Sequence, residues 1–99
     1  MIPIMTPIEM QAAAEILADA GYFELAILVI REVTRYDHYE ALAWGAFWSR
    51  TSDNEPTSFA CECLERLKAH GIVVVTECMR ILGKAEKRLE RERKKNACI

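Results

Sequence analysis

The sequence predicts an all-α fold, a bundle of about five helices built from two αα-hairpins. Three observations predict it. Among 99 residues, Gly (4) and Pro (3) are scarce, while Ala, Leu, Ile, Glu, Lys and Arg are abundant, a mix that favours helix over turn-rich β architecture. Apolar residues recur at three- and four-residue spacings through most of the chain. Gly21 and Gly71 fall between such stretches, where a helix commonly ends in a left-handed residue.

The first helix is expected over 7–20. Thr6-Pro7-Ile8-Glu9 reads as N-cap, N1, N2 and N3. Thr6 can accept from the Glu9 amide while Glu9 reaches back, a capping box, and Pro7 suits N1 because the missing N–H had no helical partner. Ala12, Ala13, Ile16, Leu17 and Ala20 then recur at helical spacing, and Gly21 ends the run.

The second helix is expected over 22–36. Phe23, Leu25 to Ile30 and Val33 make it apolar nearly all round, which predicts a helix central in the bundle or lying under a partner. Its β-branched residues make a strand over 25–30 the competing reading. Glu24, Arg31, Glu32 and Arg35, at i,i+4 or nearby spacings, favour the helix.

Asp37-His38-Tyr39-Glu40 forms another N-cap with its reciprocal acid and opens a third helix over 38–50. Ala41, Gly45 and Ser49 line one face at intervals of four, so a neighbouring backbone can approach closely. Trp44, Phe47 and Trp48 cover an adjacent face.

Residues 49–58 are polar and rich in Ser and Thr, which predicts a surface loop and a helix entry. A fourth helix over 56–70 faces Phe59, Ala60, Cys63, Leu64 and Leu67 inward, and Gly71 ends it. A fifth is expected over 72–94 on a stripe of Val74, Cys78, Ile81, Ala85 and Leu89, flanked by Val75, Met79 and Leu82. The run Ile72 to Val75 leaves a short strand at 72–76 as the alternative. The stripe stops at Leu89, so residues 90–99 are expected to project or fray. At an offset of fifty, Glu15, Leu17 and Gly21 match Glu65, Leu67 and Gly71, which fits two hairpins without establishing a duplication.

The length predicts a single domain, residues 1–99, with a poor surface-to-volume ratio that oligomerisation would relieve. A homodimer is therefore expected. The net charge of −2 is unevenly spread. Residues 1–82 carry six basic and twelve acidic side chains, and residues 83–99 carry seven basic and three acidic. An acidic body with a basic tail suits association with its own kind or with an anionic partner, against the plainer reading of a solvated terminal helix. The cysteines at 61, 63, 78 and 98 cluster late and do not frame a disulfide scaffold. Met1 to Met5 has no basic segment of a secretory signal. The longest apolar run, Leu25 to Ile30, is too short to span a bilayer. A cytoplasmic protein with no membrane partner is expected.

Residues 10–48 resemble a single tetratricopeptide-like helical hairpin. Ala14, Leu17, Gly21, Phe23, Ala26 and Val33 occupy its pattern of small and large residues. Asp37 stands where its turn begins, and Trp44 falls where the next repeat's Trp would be. The chain departs from the pattern at His38, in place of the usual turn proline, and at bulky Trp48, where a small residue belongs. One unit matches, whereas a solenoid needs about three. The resemblance implies a protein-binding helical scaffold and no particular contact residues.

No cofactor, metal or catalytic residues are expected. Cys61-Glu-Cys63 with Cys78 and His70 supplies four ligand types for zinc. On a helix, however, positions i and i+2 point about 200° apart, and buried cysteines are common core residues. Cys98 fits no prenylation box, because Asn96 stands four from the end. His38 and His70 sit at helix termini, apart from any nucleophile motif, and Glu62 and Glu65 read as a solvated face. The glycines at 21, 45, 71 and 83 are too scattered for a phosphate loop.

Two surfaces remain as partner candidates. Tyr36, Tyr39, Trp44, Phe47 and Trp48 lie within thirteen residues and are of the types that dominate interface hot spots. They serve equally well as core, with Trp44 expected inside and Tyr39 partly outside. Lys84, Lys87, Arg88, Arg91, Lys94 and Lys95 can gather along one side of a helix and neutralise an anion. Glu86, Glu90 and Glu92 interleave with them, and no aromatic platform accompanies them. A helix-turn-helix over 56–79 would have a recognition surface poor in Arg, Asn and Gln. The expected function is a small non-enzymatic protein–protein interaction module, an adaptor or stoichiometric inhibitor such as a phage or mobile element encodes. The alternative is a nucleic-acid-binding regulator that uses the basic C-terminal helix.

Overall fold

Helix caps written into the sequence set the architecture of the computed structural model, which describes residues 5–72 and 75–97. In order, the helices are α1 (Pro7–Asp19), α2 (Phe23–Thr34), α3 (His38–Trp48), α4 (Ser58–Lys68) and α5 (Val75–Ala97). Among the described residues there is no strand, only an isolated antiparallel bridge between Arg50 and Pro56.

Both expected capping boxes form. The Glu9 amide donates to Thr6 Oγ1 at 3.1 Å, and the Thr6 amide donates to Glu9 Oε1 at 3.0 Å. Asp37 and Glu40 repeat the exchange at 2.8 and 2.9 Å. The cap of α4 is Thr57, which accepts from the Ala60 amide at 3.1 Å. That helix starts at Ser58 rather than 56 because the bridge to Arg50 holds Pro56 in the preceding loop. Gly21 (φ +92°) and Gly71 (φ +89°) take the left-handed conformation expected of them. Beyond each, an amide returns to a helix carbonyl, Tyr22 to Leu17 at 2.8 Å and Ile72 to Leu67 at 3.2 Å.

All five helices differ at an end from the expected spans: α1 stops at Asp19, α3 at Trp48 and α4 at Lys68, short of 20, 50 and 70. The second stops at Thr34, where Arg35 itself turns left-handed (φ 68°). The fifth is helical at Val75 and Thr76. Residues 73 and 74 lie outside the described residues, and with them part of the alternative strand at 72–76. At its far end α5 stays helical through Ala97, with Glu90 to Lys95 exposed. On these turns Glu92 and Arg93 line a hollow with Val33, Thr34 and Arg35 at the end of α2.

The central helix is α3, not α2. Every residue from Glu40 to Ala46 is buried, whereas α2 leaves Leu25 and Leu28 nearly half exposed. The reason is side-chain size. Ala41, Ala43, Gly45 and Ala46 present so little bulk that neighbouring helices can close on α3 from several sides. The first expected hairpin forms, with α1 packed broadly on α2 across Gly21. In the second half both α4 and α5 rest mainly on α3, and they meet each other little although Gly71 joins them. The inner face of α1 is Met10 and Ala14 with Leu17. Ala12, Ile16 and Ala20 of the expected stripe are exposed instead, Ile16 at 69%.

Candidate functional site

The five aromatic residues singled out in the sequence divide between core and surface. Trp44 is 6% exposed and Tyr36 7%. Both pack mainly within the subunit, although each also borders a groove. Tyr36 Oη donates to a Glu86 carboxylate oxygen across the α3–α5 side of the molecule. Burial first, and then the negative charge of Glu86, raises the Tyr36 phenol well above its usual range. Tyr39 is half-buried and meets the His70 ring edge-on at 5.7 Å. Phe47 is half-buried and braces Trp48 edge-to-face, with centroids 4.9 Å apart. Trp48 is 54% exposed.

Trp48 stands between two hollows. On one side, a groove of about 510 Å³ is lined by Ile8, Met10, Val33, Tyr36, Trp44 and Trp48, with Gln11, Thr34 and Glu86 among its polar groups. Ile8, on the first turn of α1, is 81% exposed. On the other side, a smaller hollow of about 290 Å³ is shared with Phe47, Arg50 and Asn54. Ile8 was not among the sequence candidates. Its signal was an apolar N2 residue on a helix whose inward face starts at Met10.

Behind Trp48 the chain turn is fixed by a polar cluster. Ser49, fully buried, donates through Oγ to Glu15 at 2.7 Å and shares a hydrogen bond with Thr57 Oγ1 at 2.6 Å. Gln11 donates to Glu15 at 3.1 Å and to the Arg50 carbonyl at 3.2 Å. These bonds tie α1 to the C-terminal end of α3, and so hold Ile8 and Trp48 on one rigid body.

The basic residues of α5 occupy one side of the helix, as their spacing predicted. Lys84, Lys87, Arg91, Lys94 and Lys95 are exposed, and Arg88 is half-buried. Arg88 departs from the group, since its guanidinium is bonded to Glu40, whose side chain is 9% exposed. Arg88 also lies 3.9 Å from Glu92, and Lys94 lies 3.5 Å from Glu90. Arg80, exposed on the same side of α5, joins the row one turn earlier; a charge tally starting at residue 83 passed it over.

Cys61 is exposed and Cys63 fully buried, so their side chains point apart as the i,i+2 geometry requires. Cys78 is also fully buried, and desolvation raises both buried thiols. Among the described residues no three His, Cys, Asp or Glu side chains converge on a possible metal position. His38 and His70 are exposed at helix ends. No described helix is long and apolar enough to cross a membrane. No family model, curated protein or solved structure matches this chain.

Proposed function

We propose that this chain is a non-enzymatic protein–protein interaction module that acts by stoichiometric docking, as an adaptor or inhibitor does. The single observation that carries the reading is the position of Trp48. An indole more than half exposed is held edge-on by Phe47 at the rim of an apolar groove, with Ile8 exposed beside the same groove. Leaving that surface in water is unfavourable, and covering it with a partner's apolar anchor recovers about 25 cal/mol per Å². Trp in a rigid setting is also the side chain most enriched among interface hot spots. The partner is another protein or a second copy of the chain. The helical hairpin of α1 and α2, which contributes Ile8, Met10 and Val33, suits the scaffold role implied by the tetratricopeptide-like pattern.

The experiment compares native mass by light scattering across a concentration series, and partner capture from host extract, for the native chain, Trp48→Ala and Ile8→Ala. Circular dichroism verifies the fold of each variant. Association that weakens in both variants is the expected result. Association as strong in both variants as in the native chain removes the reading.

A further inference from the structure

The exposed side of α5 carries a row of cations, with Glu77 beside its first two members, Arg80 and Lys84. Arg80, Lys84, Lys87, Arg91 and Lys95 are all exposed, and among the described residues none of them makes an ion pair. Their spacings of four, three, four and four residues confine them to an arc of about 80° and spread them over about 22 Å of helix. The buried residues of α5, Cys78, Leu82 and Ala85, lie on the opposite side. The acids of the helix sit outside the row or at its start. Glu86 accepts from Tyr36, Glu90 and Glu92 are engaged with Lys94 and Arg88, and Glu77 lies at the N-terminal end. Elsewhere Arg66 pairs with Glu24 and Glu62, and Lys68 with Glu65, while Arg31, Arg35 and Arg93 are exposed singly and form no comparable row.

From this arrangement we infer that the outer side of α5 binds the phosphate backbone of duplex nucleic acid, without reading its sequence. Three features select that ligand. The charges are strung out in a line, which suits a linear array of phosphates, whereas a single phosphate needs donors that converge. Among the described residues the arc itself holds no apolar or aromatic side chain, and only Ile72 and Ile81 border its first turn, so it lacks the apolar core of a protein interface and the stacking platform of a single-strand binder. It also holds no Asn or Gln to read base edges, which leaves backbone contacts alone. The exposure of all five side chains leaves the row open to a duplex. This site is independent of the Trp48 groove.

The test is fluorescence anisotropy of the intact protein with two labelled 20-base-pair DNA duplexes of unrelated sequence, titrated at several salt concentrations. If about five phosphates are contacted, log K falls with log salt at a slope of about −4.5, a loss of several hundred-fold between 50 and 200 mM. Both duplexes bind alike. Lys84→Glu with Lys87→Glu lowers affinity at least about tenfold and flattens the slope by about 2. Arg31→Glu with Arg93→Glu, a pair with the same change in net charge on exposed positions outside the row, leaves affinity within about threefold. The inference is overturned if the native chain shows no binding at 50 mM salt, if the slope is near −1, or if the two double variants lose affinity equally. It is also overturned if the Lys84/Lys87 pair abolishes a salt-sensitive self-association seen by light scattering while the duplexes stay unbound, since the row then serves an acidic protein surface.

Discussion

The sulfur of Cys63 occupies the space into which a side chain on Gly45 would grow: an ideal Cβ there would lie 2.5 Å from Sγ and 2.9 Å from the Phe59 ring. Glycine at this point of α3 lets α4 pack at backbone distance. Gly45→Ala therefore sets a gain in helix propensity of about 1 kcal/mol against overpacking of about 1 to 3 kcal/mol. Steric conflict wins, because Phe59 and Cys63 are themselves fully enclosed. Urea denaturation should show a net loss. The loss should shrink when Cys63→Ala is present, a non-additivity that a double-mutant cycle measures.

Glu40 has two tasks. It closes the capping box of α3 and accepts from Arg88 of α5, so it ties the central helix to the last one. Arg88→Ala removes the partner of a carboxylate whose side chain is 9% exposed. The expected cost is about 1 to 2 kcal/mol, less than for a fully buried pair because Arg88 itself is 40% exposed. Arg88→Lys should recover only part of it, since a lysine cannot reproduce the guanidinium fork. Thermal melts of the three proteins at matched ionic strength decide this.

Alkaline pH should destabilise the fold. Desolvation raises Cys63 above its ordinary 9.0, and desolvation with the Glu86 carboxylate raises Tyr36 above its ordinary 10.0. Both groups are neutral when protonated, so the folded state holds their protons more tightly than the unfolded state does. Their stabilisation is complete below pH 9.0 for the thiol and 10.0 for the phenol, and it erodes progressively as pH rises above those values toward the raised folded ones. Stability followed from pH 7 to 11 should decline in that window. Cys63→Ala should remove the decline that sets in above 9.0, and Tyr36→Phe the steepening that sets in above 10.0. A profile that is unchanged in both variants would show that these groups do not govern the decline.

The two indoles should behave as separate populations. Trp48 is 54% exposed and Trp44 6%. Acrylamide should quench Trp44→Phe protein, which retains only Trp48, several times more strongly than Trp48→Phe protein. Partner binding at the groove should protect Trp48. Replacing Trp48 should alter stability by less than about 1 kcal/mol, as for most surface positions.

Thiol reactivity offers a further check of the α4 register. In a Cys98→Ser background, Cys61 should react promptly with a disulfide reagent, because it is exposed. Cys63 and Cys78 should react only as the protein opens, because both are buried. Three thiols reacting at one fast rate in the folded protein would contradict the packing of α4 and α5 on α3.

Much of the candidate surface was legible in the sequence. The basic row follows from helical periodicity alone, since residues three and four apart share a side once the helix exists. The aromatic cluster was legible as a group, but its division was not. Trp44 and Trp48 are both apolar, one helical turn apart, and only the packing of the neighbouring helices covers the first and leaves the second exposed. Ile8 and Ile16 were hidden for a related reason. With apolar residues on both sides of α1, periodicity cannot choose the inner one.

By itself the sequence determined where α1 and α3 begin and which glycines follow α1 and α4. Thr6 with Glu9, Asp37 with Glu40, Gly21 and Gly71 act through bonds to residues a few positions away, and such local bonds need no knowledge of the rest of the chain. Tertiary structure decided which helix lies at the centre, which cysteine is hidden, and that Arg88 leaves the basic row for Glu40, 48 positions earlier. Those outcomes depend on which surfaces meet. Small residues on α3 allow several partners to approach, and the close-packed solution is chosen by all the helices together.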